Sequence, residues 1–135
     1  MQLLQELITY VGDQWPRLLG LTVQHVKLAL VAVLYGVAVG VPVGYLISRF
    51  RRLAEPVLWV TNAIQTIPAL ALIGFAMLIF GLSPATGIFC LFLYSLMPII
   101  RQTYTAITSI DPAVIEAATG MGMTRWQIFR IVQLP

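Results

Sequence analysis

The chain has 135 residues, of which 59% are hydrophobic and only 10% charged, whereas soluble domains carry roughly a quarter charged residues. Such a composition excludes an ordinary soluble domain and points to a membrane. The net charge of +3 matters less than where the charges fall, and no nucleic-acid partner is expected.

In chain order, MQLLQELITYVGDQW comes first. It sets Leu3, Leu4, Leu7, Ile8, Val11 and Trp15 at helical spacing, opposite Gln2, Gln5, Glu6, Thr9 and Asp13. An amphipathic helix on the outer membrane face is predicted. A signal peptide would need a basic start and an unbroken apolar core, but no Lys or Arg precedes Arg17 and Glu6 interrupts. Trp15-Pro16 is predicted to end this helix, with Trp15 as an interfacial anchor and a linker to residue 20.

Between Lys27 and Arg49 lie 21 uncharged residues, and between Glu55 and Arg101 lie 45. About 20 cross a bilayer core of roughly 30 Å, so one span fits the first gap and two fit the second. Gly81-Leu82-Ser83-Pro84 supplies the turn between the latter two. The spans are placed near 26–47, 57–80 and 86–107. Basic residues favour cytoplasmic ends. Arg49, Arg51 and Arg52 put the end of the first span inside, and the uncharged turn at 81–85 goes outside. Arg101, Arg125 and Arg130 then fall inside, which leaves the N-terminus outside.

The first span carries Gly36, Gly40 and Gly44, a stripe without side chains that allows another helix close approach, although membrane helices are rich in glycine in general. Pro42 is expected to kink its inner half. The second span has a polar inner half, with Thr61, Asn62, Gln65 and Thr66 ahead of Pro68. Such groups need partners or water in hydrocarbon. They read either as a pathway lining or as interhelical hydrogen bonds. In the third span Arg101 is expected at the inner boundary, reaching water. Cys90, the only cysteine, reads as packing, and His25 has no companion for a metal site. No metal and no cofactor are expected. The spans hold no acidic residue, so energy for any transport should come from elsewhere.

Beyond residue 110, Asp111 is an N-cap and Pro112 a first helical residue. Gly120 and Gly122 end that helix, one of them left-handed, and Thr124 with Gln127 has the spacing of a capping box for the next. Charges at Asp111, Glu116, Arg125 and Arg130 keep this helix-turn-helix at the cytoplasmic surface. The first helix shows Ala117 and Ala118 beside Glu116, a face suited to a groove on another protein or to an ordinary interfacial position. No nucleophile–base pair occurs, and GMGMT lacks the Lys of a P-loop, so no enzyme is expected.

EAATGMGMTRWQIFRIVQLP, at 116–135, resembles the EAA motif of permease subunits of binding-protein-dependent ABC importers. That motif runs EAA, three residues, Gly, nine residues, Ile, one residue, Leu-Pro. Glu116, Ala117, Ala118, Gly122, Leu134 and Pro135 match in register, and Val132 stands for Ile. IQTIPALALIGF, LYSLMPIIRQTYTAI and Gln24-His25 resemble the branch importing quaternary ammonium osmoprotectants: glycine betaine, carnitine and choline. Methionine-type amino acid permeases share the layout, and a small non-transporting membrane protein that recruits a cytoplasmic partner is a further alternative.

The resemblance implies an all-α integral membrane protein with three transmembrane helices, part of a type I ABC importer permease fold, over residues 21–135. It also implies a bacterial inner-membrane location. Implied partners are cytoplasmic ATPase subunits, a second permease subunit and an external solute-binding protein, besides membrane lipid. By that match residues 111–135 form the coupling segment, ATP hydrolysis belongs to the separate ATPase, and high-affinity recognition belongs to the binding protein. Because the family continues past Leu-Pro into further spans, the sequence reads as C-terminally incomplete and is not expected to support uptake alone.

Overall fold

The computed structural model describes residues 1–133, together with the side chains of all of these except Leu7 and Ile8. The part of the predicted apolar stripe that falls on Leu7 and Ile8 therefore lies outside the described residues. Helix α1 (Gln2–Asp13) is followed by α2 (Trp15–Arg49), a 3-10 turn (Arg51–Leu53), α3 (Ala54–Thr66), α4 (Ala69–Phe80) and α5 (Pro84–Thr108). Then come α6 (Pro112–Gly120), α7 (Arg125–Ile128) and a π turn (Phe129–Gln133).

Trp15-Pro16 does not lead into a linker. Proline lies in the first turn of α2, where its missing N–H leaves nothing unpaired, so residues 16–20 continue as helix. The first span is thus the C-terminal part of a helix of 35 residues, about 50 Å long at 1.5 Å per residue. Pro42 lies inside it without ending it.

Helix α2 packs on α5 through Ala32, Gly36, Gly40, Gly44 and Ile47, all buried and four or three residues apart. Lipid gives helices no hydrophobic reason to associate, so close backbone approach and dispersion contacts must supply it. Here the approach leaves no room for one carbon. A Cβ on Gly36 would overlap Ser95 Oγ, one on Gly40 would sit 2.7 Å from Ile99 Cγ2, and one on Gly44 would sit 2.6 Å from Thr103 Cβ.

The segment expected to span at 57–80 is not a single helix. Pro68 excludes its predecessor from the helical region, and Ile67 is extended at φ −69° and ψ 126°. Helix α3 stops at Thr66, and the α3 and α4 segments meet at 93°. Among the described residues two helices, α2 and α5, are long and apolar enough to cross a membrane, and the bent pair makes a third only if counted as one span. Both arms of the bend rest on α5. Ile47, Ala54 and Ile100 form one buried cluster on the α3 side, and Leu72, Ala76 and Cys90 form another on the α4 side.

Gly81, at φ +65°, turns the chain after α4, and Thr86 Oγ1 donates to its carbonyl at 2.6 Å. Past α5, the ends of α6 are set by local chemistry. Asp111 Oδ1 accepts from the Ala113 N–H at 2.9 Å. At the other end Met123 N donates to Ala118 O, and Gly122 N to Thr119 O, with Gly122 at φ +80°. This is a Schellman ending. Replacing Asp111 with Ala should cost α6 about 1 kcal/mol, the usual worth of an N-cap, read as faster amide exchange at Ala113 and Val114.

Candidate functional site: the surface helix and its seat on the span pair

Of the residues matched in the closing motif, Glu116 and Ala117 are exposed on α6, and Gly122 is exposed at the turn. Ala118 is only 2% exposed, which corrects its expected place on the outer face. Its carbonyl takes the Met123 N–H, and a Schellman ending brings the returning chain over this position. The face actually presented is Val114 (48% exposed), Ala117 and Met121 (72%), with Glu116 beside them. Val114 and Met121 escaped the sequence reading, although their i, i+3, i+7 spacing with Ala117 was the available signal. Leu134 and Pro135 lie outside the described residues.

Thr124 and Gln127 close a reciprocal capping box, with bonds of 2.8 Å and 3.3 Å. It starts α7, which carries Trp126 and leads to Phe129. The Phe129 ring meets Tyr45 of α2 edge-on at 4.7 Å between centroids, and Trp126 lies 5.5 Å from Phe129. Phe129 lines a cleft of about 230 Å³ with Val41 and Tyr45 of α2 and Thr103, Ala106 and Ile107 of α5. The surface segment therefore rests on α2 through Tyr45 and borders a cleft whose other wall is α5. This seat had no signature in the sequence, because Tyr45 and Phe129 belong to segments far apart in the chain.

The four polar residues at the head of the second span part company. Thr61 is buried and donates to Val57 O and Leu58 O of its own helix, at 3.0 Å and 3.1 Å. Thr66 likewise donates to Ala63 O at 2.7 Å. Gln65 Nε2 reaches α5 and donates to Tyr94 O at 3.1 Å, an interhelical bond. Asn62 alone of the four lines an open groove of about 680 Å³, together with Glu55 and Trp59 of α3 and Met97 and Arg101 of α5. Trp59 is 73% exposed there, and Arg101 is exposed.

Apolar helices of spanning length locked through a glycine stripe, with a capped surface helix seated at one end, define a helical integral membrane protein. The chain belongs to the family of binding-protein-dependent transport system inner membrane components, whose model matches residues 16–135. It is 48% identical over all 135 residues to the glycine betaine/carnitine/choline transport system permease protein OpuCD of Bacillus subtilis, covering 59% of that protein. It is 47% identical to the choline transport system permease protein OpuBD of the same organism, covering 60% of it. It is also 41% identical over 133 residues to the osmoprotectant import permease protein OsmW of Salmonella typhimurium, with 95% of this chain and 62% of the relative covered. The chain thus spans about three-fifths of the length of these relatives.

Proposed function

We propose that the chain acts in a permease subunit of an ATP-driven importer for quaternary ammonium osmoprotectants such as glycine betaine, carnitine and choline. The observation that carries this is the 48% identity across the whole chain to a permease named for those three solutes. In this reading α6 lies in the cytoplasm and docks on an ATPase subunit through Val114, Glu116, Ala117 and Met121. Gly122, Leu134 and Pro135 belong to the same coupling segment. Phe129, set edge-on against Tyr45 of α2 beside a cleft shared with α5, carries displacement of the docked helix into the spans, and a second permease subunit completes the passage.

The N-terminus lies outside, where an external binding protein delivers solute. Thr61, Asn62, Gln65 and Thr66 belong to the inner half of the passage, with Asn62 on its open side and Thr61 supporting it from behind. The inward-to-outward switch is then a two-state rearrangement of this bundle biased by ATP binding.

A chimaera tests the reading. Residues 1–135 replace the aligned segment of the Bacillus subtilis glycine betaine/carnitine/choline permease, in cells lacking other osmoprotectant uptake. Radiolabelled glycine betaine should enter at a rate within about tenfold of the parent permease, a loss smaller than 1.4 kcal/mol. Absence of uptake, with the chimaera present in the membrane at the parent's level, would refute the assignment.

A further inference from the structure

Two prolines, one inside α5 and one at the break between α3 and α4, leave two backbone carbonyls without a helical donor near one point. Pro98 lies inside α5 and has no N–H to give the carbonyl four residues earlier, which is that of Tyr94. Ile67, extended ahead of Pro68, lies between the ends of α3 and α4, so its carbonyl belongs to neither helix. In an apolar surrounding with no water each such group needs a donor. Each receives one from the helix opposite: Gln65 Nε2 donates to Tyr94 O at 3.1 Å, and the Tyr94 hydroxyl donates to Ile67 O.

From this exchange we infer that Gln65 and Tyr94 form a reciprocal latch that fixes the 93° angle between α3 and α4. They are positioning residues. Helix α3 carries Glu55, Trp59 and Asn62, so the latch also sets how that helix faces Met97 and Arg101 across the groove. At about 20 Å and 18 Å, neither α3 nor α4 alone crosses a core of roughly 30 Å, so the angle decides how far the pair reaches together. Nothing in this inference depends on what passes through the membrane.

The test uses the 135-residue chain in lipid nanodiscs. Cys90→Ser removes the only native thiol, and spin labels go on cysteines at Val60 and Leu78, which are exposed on α3 and α4. Pulsed dipolar spectroscopy of this parent should give one narrow distance. Tyr94→Phe and Gln65→Leu should each broaden the distribution and move it to longer distance as the bend opens. Gln65→Met, of similar volume and without a donor, should do the same.

The decisive comparison is in a Pro98→Ala background. There residue 98 regains an N–H for the Tyr94 carbonyl, so Gln65→Leu should add no change, while Tyr94→Phe still does. A residue that merely fills space would be indifferent to what stands at position 98. The inference is overturned if Gln65→Leu and Tyr94→Phe leave the parent distance unchanged. It is equally overturned if Gln65→Leu has the same effect with alanine at 98 as with proline.

Discussion

Alanine in place of Gly44 is expected to destabilise the folded chain by about 1–3 kcal/mol, the range for overfilling a packed contact. The added carbon would stand 2.6 Å from Thr103 Cβ and 2.9 Å from the backbone oxygen of Ile100. A side chain can rotate away from such a contact, but a helix backbone cannot, so α2 and α5 must separate. Gly40→Ala should cost less, because its close neighbours are atoms of the Ile99 side chain. Gly74→Ala supplies the control, since a Cβ there meets nothing within 4 Å. Titration of the detergent-solubilised chain with SDS, followed by circular dichroism, measures all three. Equal midpoints for Gly44→Ala and Gly74→Ala would contradict the close-approach account.

The second large effect concerns the proposed docking of α6 on an ATPase subunit. Glu116→Lys, which reverses the charge beside the exposed Val114–Ala117–Met121 face, is expected to weaken association with the ATPase subunit about tenfold or more, or 1.4 kcal/mol. Gly122→Leu should weaken it similarly for a different reason. Space around Gly122 is open, so the cost is conformational: at φ +80° an L side chain loses about 1–2 kcal/mol, and the end of α6 re-forms elsewhere. Gly122→Asn should therefore retain more binding than Gly122→Leu, since Asn enters the left-handed region at lower cost. Co-purification with the ATPase from membranes, with insertion checked by carbonate extraction, reads each variant. Recovery of the ATPase by Glu116→Lys and Gly122→Leu at the parent's level would remove the docking role from α6.

Features that a few neighbouring residues decide were legible in the sequence. The ends of α6 and α7 depend on Asp111, Gly122, Thr124 and Gln127, whose bonding partners lie two to four residues away. The glycine stripe was visible as a four-residue period, and its partner helix was not. Prolines at 42, 68 and 98 look alike in apolar sequence, yet only Pro68 ends a helix. What separates it is tertiary: at the break the Gln65 carboxamide donates to α5 and the Tyr94 hydroxyl of α5 donates back to Ile67, across nearly thirty residues of chain. The burial of Ala118 and the seat of Phe129 on Tyr45 depend on how the chain returns. Composition and period carry no record of that.

The glycine stripe also has an entropic side. A glycine has no rotamers to lose, so on the α2 surface Gly36, Gly40 and Gly44 are ordered against α5 without side-chain cost. On the facing surface Ile99, Ile100 and Thr103 are β-branched, and a helix already restricts such residues at χ1 before any partner arrives. Association of the two helices thus freezes little that was free. The α2–α5 pair is thus a stiff frame with few internal degrees of freedom, whereas the vertex of α3 and α4 is held by two polar side chains that each have rotamers to lose.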